Sequence, residues 1–367
     1  MNSKKQVLFI IWSFSMGGGA EKILSNILNK IDLNKYEIDV LEYIKFNIKE
    51  EKIPFEINRL APIIDCSNKK HRIKRRIYDK MVIKYPDYFR KKRIKKKYDV
   101  EIAFNYLIPN SLINDKSNTI CWVHGDIYDL KDSPYLYNRQ QHFFNKTAII
   151  VAISKNTELS IKELYPEHAN KIKKIYNGFD INEIIQASKK DCDIQLDTNS
   201  ILYIGRLEER KQPIKSLECL VRLHQLGCKA SLYILGKGEL LDELRAYVYD
   251  KELNEYVKFL GYIDNPYPII KQAKAIVSFS NSEGFPTIFV EGFALGVPFV
   301  STPVGGTEEL SNNGKSGIVI KTIDEGAYAL KSIIDGTSTT TTDNCLKQAL
   351  KYSIEKQILE LEKLIDN

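Results

Sequence analysis

The chain has 367 residues, of which 43% are hydrophobic and 28% are charged, and its formal net charge is +7. This length exceeds one ordinary hydrophobic core and favours two domains. The longest apolar runs, such as Val7–Trp12, are far shorter than the ~20 residues that span a bilayer. No convincing signal-peptide core precedes that run, and the six scattered cysteines form no Cys-x-x-Cys pair. We therefore expect a cytoplasmic protein without a zinc site or a disulfide framework.

The first half of the chain alternates strand-like and helix-like segments. The predicted strands are Val7–Trp12, Glu37–Tyr43, Val100–Phe104, Thr119–Val123 and Ala148–Ile153. The predicted helices are Ala20–Ile31 and Lys155–Leu164, the second preceded by Ser154 as an N-cap. Short apolar strands that alternate with helices are typical of a parallel sheet covered on both faces. We therefore predict a first Rossmann-like domain over residues 1–185.

A strongly basic segment, residues 69–98, interrupts this alternation. It contains fifteen Lys or Arg residues against Asp79 and Asp87, a net charge of +13 that leaves 7 − 13 = −6 for the rest of the chain. Apolar and aromatic residues are interleaved with the cations: Tyr78, Met81, Val82, Ile83, Tyr85, Tyr88, Phe89 and Ile94. Cations beside apolar side chains suit an anionic membrane surface. A solvated surface helix and a nucleic-acid contact are the alternatives.

The second half restarts the alternation after a polar stretch, residues 181–200, which we interpret as a linker. A helix is predicted at Pro213–Leu226, and the predicted strands are Ile201–Ile204, Ala230–Leu235, Val257–Leu260, Ala275–Phe279, Phe299–Ser301 and Ile318–Ile320. This pattern predicts a second doubly wound domain over residues 199–345. A Thr-rich break at Thr337–Thr342 precedes a last predicted helix, from about Cys345 to Leu364.

Charged residues follow two of the second-half strands. Gly205 and Arg206 end one strand, and Lys211 follows in a basic loop; an arginine fork and a lysine point charge suit a phosphate group. Glu283 lies on a strand-to-helix loop, and Glu291 falls in the helix that follows. Taken one at a time, these residues are ordinary solvated charges or helix caps. In open α/β sheets, however, ligands bind at the carboxyl ends of strands, where these loops begin.

Two features of the first half also lie at the carboxyl ends of predicted strands. Gly17–Gly19 follow the first strand and open a helix, where a glycine turn lets the backbone approach an anion. This segment has neither the full Gly-x-Gly-x-x-Gly pattern nor a Gly-Lys-Ser/Thr ending, so it matches neither a dinucleotide fingerprint nor a P-loop. His124 ends another strand; a single histidine is more often structural, but this position faces the predicted ligand edge.

In order and spacing, these motifs resemble the retaining glycosyltransferases of family four over nearly the whole chain. The matching segments are Gly17–Lys22, His124–Gly125, Ser154–Lys155, Asn177–Asp180, Gly205–Leu207 with Lys211, Gly236–Gly238, Glu283–Glu291 and Gly305–Glu308. The resemblance implies an α/β GT-B fold: two facing Rossmann-like doubly wound domains, with a C-terminal helix over residues 346–367 that crosses back to the first domain. The chain departs from the pattern at Gln212, where many relatives have Gly.

The resemblance also implies a role for each matching residue. Arg206 and Lys211 would bind the donor diphosphate in place of a metal ion, Glu283 the hydroxyls of the donor sugar, and Glu291 the ribose. His124 would lie against the donor sugar. The other implied donor-binding positions are Gly17, Gly18, Gly236, Tyr262, Ile263, Gly284, Phe285, Pro286 and Thr287. Neither a metal nor a cofactor is expected.

The implied activity is the transfer of a hexose or N-acetylhexosamine from a nucleoside-diphosphate sugar, with UDP favoured. The implied acceptor is a cell-surface glycan precursor, which we expect to be lipid-linked. That expectation favours an anionic membrane at the inner face of the cell membrane, rather than nucleic acid, as the partner of residues 69–98. Two alternatives are a nucleotide-sugar epimerase of the same fold and a non-catalytic partner subunit. The presence of Arg206, Lys211, Glu283 and Glu291 argues against both.

Overall fold

The computed structural model of the chain describes residues 3–16, 18–48, 51–67, 75–114 and 118–367. The chain divides into two compact units. Unit 1 consists of Met1–Gly178 together with Ile354–Asn367, and unit 2 of Phe179–Ser353. The first unit is therefore built from both ends of the chain, and the second from one continuous segment.

Unit 1 contains a seven-stranded parallel sheet. Its strands, with a separate pair β3–β5, are β1 Lys5–Ile11, β2 Tyr36–Glu42, β3 Ile44–Lys45, β4 Asn58–Arg59, β5 Ile64–Asp65, β6 Val100–Ala103, β7 Asn118–Val123, β8 Ile149–Ala152 and β9 Ile172–Lys174. The order in the large sheet is β4-β2-β1-β6-β7-β8-β9. Most residues of the central strands are apolar, because both faces of a parallel sheet are covered.

The helices of unit 1 cover that sheet. In the described residues before Gly178 they are α1 Gly19–Leu28, α2 Arg75–Lys84, α3 Pro86–Arg93, α4 Ile108–Ser111, α5 Pro134–Lys146 and α6 Lys155–Leu164. In α1 the residues Ile23, Leu24, Ile27 and Leu28 are buried, which is the spacing of one apolar helix face. Ser154 caps α6 by accepting a hydrogen bond from the Thr157 amide, which confirms the predicted N-cap.

Unit 2 contains a six-stranded parallel sheet. Its strands are β10 Ser200–Ile204, β11 Ser231–Leu235, β12 Val257–Gly261, β13 Ala275–Ser278, β14 Phe299–Ser301 and β15 Gly317–Val319, in the order β12-β11-β10-β13-β14-β15. Its helices are α7 Ile181–Ala187, α8 Pro213–Gln225, α9 Leu241–Asp250, α10 Tyr267–Ile270, α11 Thr287–Ala294, α12 Thr307–Ser311, α13 Ile323–Ile334 and α14 Thr342–Ala349. Each predicted strand of the second half is present.

The predicted linker at residues 181–200 is wrong in its first part. Residues 181–187 form α7, which Asp180 opens as an N-cap by accepting a hydrogen bond of 2.9 Å from the Glu183 amide. Ile181 and Ile184 bury their side chains, and α7 belongs to unit 2. The first unit accordingly ends at Gly178 and not at residue 185.

The last predicted helix is two helices. Between α14 and the final helix, α15 Ile354–Asp366, lie a short 3₁₀ turn over Leu350–Tyr352 and an extended Ser353. The amide of Phe179 donates to the Tyr352 carbonyl, and Phe179 pairs with Ser353 as an isolated bridge. Only α15 belongs to unit 1, so the crossover begins at residue 354, not 346.

The basic segment is described from residue 75 onward, and its residues 69–74 lie outside the described residues. Val82, Ile83, Phe89, Ile94 and Tyr98 are buried in the core of unit 1. The exposed members are Ile77, Tyr78, Met81, Tyr85 and Tyr88. About half of the interleaved apolar residues are therefore core residues, and the others are exposed beside the cations, on α2, on α3 or, for Tyr85, directly before α3. No helix within the described ranges combines the length and apolar character that a membrane span requires.

Candidate functional site

The strand order of unit 2 defines where a ligand can bind. β10, the first strand of the unit, lies between β11 and β13, so the connections from β10 and from β13 leave the sheet in opposite directions. All these strands are parallel, and their carboxyl ends share one edge. The crevice at such a reversal is the usual ligand site of an open α/β sheet. The loops that follow β10 and β13 flank it.

The loop after β10 is fixed by the neighbouring loop of β11. The Gly205 amide donates to the Leu235 carbonyl at 3.0 Å, and the Leu207 amide to the Lys237 carbonyl at 3.0 Å. Between them the Arg206 side chain extends outward, 70% exposed, with its guanidinium 3.0 Å from a carboxylate oxygen of Glu208. The guanidinium therefore stands at the open edge of the sheet on a fixed backbone.

Glycine is required where these two loops meet. Gly236 has φ +155°, and a Cβ there would lie 1.8 Å from the Gly205 carbonyl oxygen. A Cβ on Gly238 would lie 2.1 Å from the Leu207 carbonyl oxygen. Neither distance is possible without movement of the backbone. The Gly236-Lys237-Gly238 motif thus lets the β11 loop pack directly on the loop that carries Arg206.

The loops after β10 and β13 meet through charged and polar side chains. Lys211 and Glu283, 72 positions apart, form an ion pair through one oxygen of the carboxylate, Oε1. Ser280 donates a second hydrogen bond to Oε1 at 2.8 Å. The Arg210 guanidinium donates to the Ser282 carbonyl at 2.8 Å. The structure thus brings Lys211 and Glu283 into contact at the crevice, and Lys211 lies in the same loop as Arg206.

The remaining predicted residues of unit 2 surround this contact. Glu291 lies in the second turn of α11 and is buried, so it is not the solvated surface charge that an isolated glutamate would be. Phe285 is buried against the Tyr352 ring at 5.6 Å between centroids. Gly284, Pro286 and Thr287 connect it to α11, whose first residue is Thr287. Tyr262 and Ile263 follow β12; the tyrosine is exposed and the isoleucine partly buried.

In unit 1, His124 follows the carboxyl end of β7. Its ring lies 4.5 Å from the Phe104 ring and 6.4 Å from that of Trp122, centroid to centroid. Burial lowers the pKa of His124 from 6.5 to about 3. Its Nε2 is buried and has no hydrogen-bond partner among the described residues. The imidazole is therefore neutral at physiological pH.

Two carboxylates bind the residues that follow β1 in unit 1. Gly18 precedes α1, whereas Gly17 lies outside the described residues. Glu21 accepts a hydrogen bond from the Met16 amide at 3.1 Å. Glu42, at the end of β2, accepts from the Phe14 amide at 3.0 Å and the Ser15 hydroxyl at 3.2 Å, and burial raises its pKa. Both carboxylates thus hold residues 14–16, between β1 and the glycines.

Sequence reasoning missed two of these polar residues, Glu42 and Ser280. Both lie at or just beyond the carboxyl end of a parallel strand, so strand-end position was the available signal. Within the part of the chain that the structure describes, no cluster of three or more His, Cys, Asp or Glu is placed to hold a metal ion.

Comparison with known proteins shows which family and which relatives this chain resembles. Residues 185–349 match the family of glycosyl transferases group 1. Along 96% of its length the chain is 25% identical to the N-acetylgalactosamine-N,N'-diacetylbacillosaminyl-diphospho-undecaprenol 4-alpha-N-acetylgalactosaminyltransferase of Campylobacter jejuni, of which it covers 95%. A second C. jejuni relative, a GalNAc-alpha-(1->4)-GalNAc-alpha-(1->3)-diNAcBac-PP-undecaprenol alpha-1,4-N-acetyl-D-galactosaminyltransferase, is 26% identical, with 89% of this chain and 87% of that protein covered.

Solved structures agree on the fold. The Anabaena protein HepE in complex with UDP superposes with a TM-score of 0.75 at 18% identity, covering 98% of this chain and 99% of HepE. The lipopolysaccharide outer core galactosyltransferase WaaB gives 0.73 at 18% identity, with the same coverage. The fold is GT-B, as expected from the sequence. Residues 185–349 are thus similar to the group 1 glycosyl transferases, and the chain is a glycosyltransferase.

Proposed function

We propose that the chain is a retaining glycosyltransferase that moves a hexose or N-acetylhexosamine from a UDP-sugar to a lipid-linked precursor of a cell-surface glycan. The observation that carries the proposal is the contact of Lys211 with Glu283 at the crevice of the unit 2 sheet, with Arg206 in the same loop as Lys211. Cations and a carboxylate at one site can bind two parts of a nucleotide sugar: the cations bind the diphosphate, and the carboxylate binds the sugar hydroxyls.

The related proteins support the choice of donor and acceptor. HepE was crystallised with UDP and with UDP-glucose, which favours a uridine nucleotide as the donor here. Both C. jejuni relatives are named for undecaprenol-linked acceptors and for the transfer of N-acetylgalactosamine. We therefore favour UDP-linked N-acetylhexosamine among the donors and a polyprenyl-diphosphate glycan among the acceptors.

The chemistry follows from where charge develops during transfer. As the bond from the sugar C1 to the leaving phosphate breaks, negative charge grows on that phosphate. Arg206 and Lys211 would stabilise this charge more in the transition state than in the ground state, in the role that a metal ion has in other enzymes. The acceptor oxygen would bond to C1 on the face that the phosphate leaves, and the phosphate would take the acceptor proton. No carboxylate nucleophile is then required.

The other residues would bind and orient the donor. Glu291 would accept hydrogen bonds from the ribose, and Glu283 from the sugar. Amides of the Gly284–Thr287 segment would support the sugar and the phosphate, as amides that precede a helix do for anions.

A nucleotide-sugar panel tests this function directly. The melting temperature should rise with the correct donor, because a ligand that binds only the folded state stabilises it. Transfer to a polyprenyl-diphosphate glycan should proceed in the presence of EDTA. Arg206→Ala and Glu291→Ala should each lower kcat/KM on the order of 100-fold. Arg222→Ala is the matched control, since Arg222 pairs with Asp324 elsewhere in unit 2. Normal turnover by Arg206→Ala would contradict the donor site, and isomerisation without an acceptor would favour an epimerase.

We also propose that residues 69–98 bind the enzyme to the inner face of the cell membrane. The exposed side chains of Tyr85 and Tyr88 lie beside Lys84 and Lys92, whose ammonium groups contact the tyrosine rings at 5.2 and 4.3 Å. Amphipathic aromatic rings next to cations suit the interface of an anionic leaflet.

Vesicle binding tests the membrane proposal. Each cation near an anionic surface contributes about 1 kcal/mol, so replacing Lys80, Lys84, Lys91 and Lys92 by Glu should weaken binding on the order of 1,000-fold or more. The same replacement at four exposed lysines of unit 2, Lys189, Lys190, Lys229 and Lys347, is the matched control. Binding to phosphatidylserine-containing vesicles that is equal for both variants, or insensitive to salt, would contradict electrostatic docking.

A further inference from the structure

A buried serine touches the carboxylate at the centre of the proposed donor site. Ser280, in the loop after β13, is only 2% exposed, and its hydroxyl donates to Glu283 Oε1 at 2.8 Å. The Ser278 hydroxyl lies 3.2 Å from the Ser280 hydroxyl. A carboxylate can only accept hydrogen bonds, and Ser280 has a single hydroxyl proton. The Ser278 hydroxyl must therefore be the donor to Ser280, which makes a chain from Ser278 through Ser280 to Glu283.

The loop that carries Ser280 is fixed on both sides. The Thr302 hydroxyl, from the loop after β14, donates to the Ser280 carbonyl at 2.7 Å. The Asn281 amide donates to the Arg210 carbonyl at 2.9 Å. Ser280 thus has little freedom to change its direction, and a buried, satisfied chain of hydroxyls holds its geometry firmly.

The two oxygens of Glu283 are in different situations. Oε1 accepts from both Ser280 and Lys211, whereas no described residue donates to Oε2. The Glu283 side chain is 13% exposed and that of Lys211 is 20% exposed, so the carboxylate reaches the surface of the crevice without being freely solvated.

We propose that Ser280 is a positioning residue that, with Lys211, holds Oε1 and leaves Oε2 as the single acceptor for one hydroxyl of the donor sugar. This inference rests on the proposed function and deepens it, because it states how Glu283 selects the sugar. A carboxylate with both oxygens available can bind two neighbouring hydroxyls at once. With Oε1 occupied, Glu283 recognises one hydroxyl. Removal of any other hydroxyl from the sugar leaves this contact intact.

The test compares Ser280→Ala with wild type in two measurements. Binding of UDP, which has no sugar, should change less than twofold. The kcat/KM for the UDP-sugar that wild type uses should fall about 10-fold or more, the effect of a lost hydrogen bond to a charged group. Ser280→Thr keeps a hydroxyl and should recover most of that activity. Ser200→Ala removes a buried serine at the opposite end of β10 and should leave both measurements unchanged.

Activity with deoxy and epimeric UDP-sugars distinguishes positioning from a merely structural role, because a structural role would not change the preference among these donors. In wild type, removal of one particular hydroxyl should cost most of the activity that Glu283→Gln costs. In Ser280→Ala the penalty for that same hydroxyl should shrink, because the acceptor oxygen is no longer directed toward it.

The outcomes separate this inference from the function on which it rests. If wild type transfers no sugar from any nucleotide sugar, the proposed function fails. If wild type is active and Ser280→Ala retains full kcat/KM, or loses UDP binding in parallel with turnover, the positioning role is overturned. An unchanged penalty for every deoxy donor, with Ser280→Thr as inactive as Ser280→Ala, overturns it as well.

Discussion

Lys211 and Glu283 are the residues on which the unit 2 site depends most. Their ion pair is partly buried. The Glu283 carboxylate also accepts a hydrogen bond from the Ser280 hydroxyl. Removal of one member of such a pair leaves the other charge incompletely solvated, which costs more than the pair itself contributes. The loss of stability caused by a single substitution therefore comes mainly from the charge that is left without its partner.

A double-mutant cycle on this pair should measure that coupling. Lys211→Met alone should lower the free energy of unfolding by about 2 kcal/mol, because Glu283 then keeps its charge without its cation. The double variant Lys211→Met/Glu283→Gln should recover part of that loss, since no unpaired charge remains. Urea unfolding of the four proteins gives the coupling energy. Strictly additive losses would mean that the pair is not formed in solution.

His124 should make the stability of unit 1 depend on pH. Its folded pKa of about 3 lies below the ordinary 6.5, so between these values the unfolded chain binds a proton that the folded chain does not. Stability contributed by the neutral ring is complete above pH 6.5 and falls as the pH drops toward 3. His124→Gln removes the titration, and its melting temperature should fall less than that of wild type between pH 7 and pH 4. An equal fall in the melting temperatures of the two proteins between pH 7 and pH 4 would contradict the burial of a neutral ring.

At the scale of single residues, the sequence predicted which types of residue form the site but not which of them are in contact. The strand-end positions of Arg206, Lys211 and Glu283 are visible in the sequence, because apolar strands and glycine turns mark where the loops begin. That Lys211 pairs with Glu283 depends on β10 lying next to β13, which is a property of the strand order. The burial of Glu291 likewise depends on how α11 packs, and a single glutamate does not reveal it.

The close packing of the β10 and β11 loops is the main feature of the site at the scale of elements. Gly238→Ala would place a Cβ against the Leu207 carbonyl oxygen, so one loop must move. We expect a loss of about 1–3 kcal/mol in unfolding free energy, as for other overpacked sites, and weaker UDP binding because Arg206 moves with its loop. Gly19→Ala is the matched control for stability, since a Cβ there meets no atom within 4 Å. Equal stability of the two variants would contradict the packing argument.

Helix boundaries show where sequence patterns stop being sufficient. The start of α7 was predictable in principle: Asp180 and Glu183 have the spacing of an N-cap and its third residue, but the polar composition of residues 181–200 hid the helix. The break between α14 and α15 was not, because the sequence contains neither Gly nor Pro between Cys345 and Leu364. The helix ends because Phe179, far away in sequence, pairs with the backbone of Ser353.

On the scale of the whole molecule, the alternation of short apolar strands with helices was enough to predict two Rossmann-like units. It could not give the division of the chain between them. Unit 1 takes its last helix from the opposite end of the chain, and that assignment depends on long-range burial. Ile354, Leu361 and Ile365 in α15 are fully buried, and the Lys5 ammonium donates to the Ile365 carbonyl at 2.6 Å.

This division predicts that the two units differ in their ability to fold alone. Residues 179–353 form a continuous segment with its own sheet and core, so they should give a cooperative unfolding transition as an isolated protein. Residues 1–178 lack α15, whose three fully buried aliphatic side chains contribute roughly 1.5–3 kcal/mol each. That sum is comparable with the whole stability of a domain, about 5–15 kcal/mol, so this fragment should be unstable or aggregate. Fusion of residues 354–367 to its carboxyl end through a flexible linker should restore a cooperative transition, whereas a fusion with Leu361 and Ile365 replaced by Ser should not. A fragment 1–178 as stable as the fused protein would mean that α15 contributes little to unit 1.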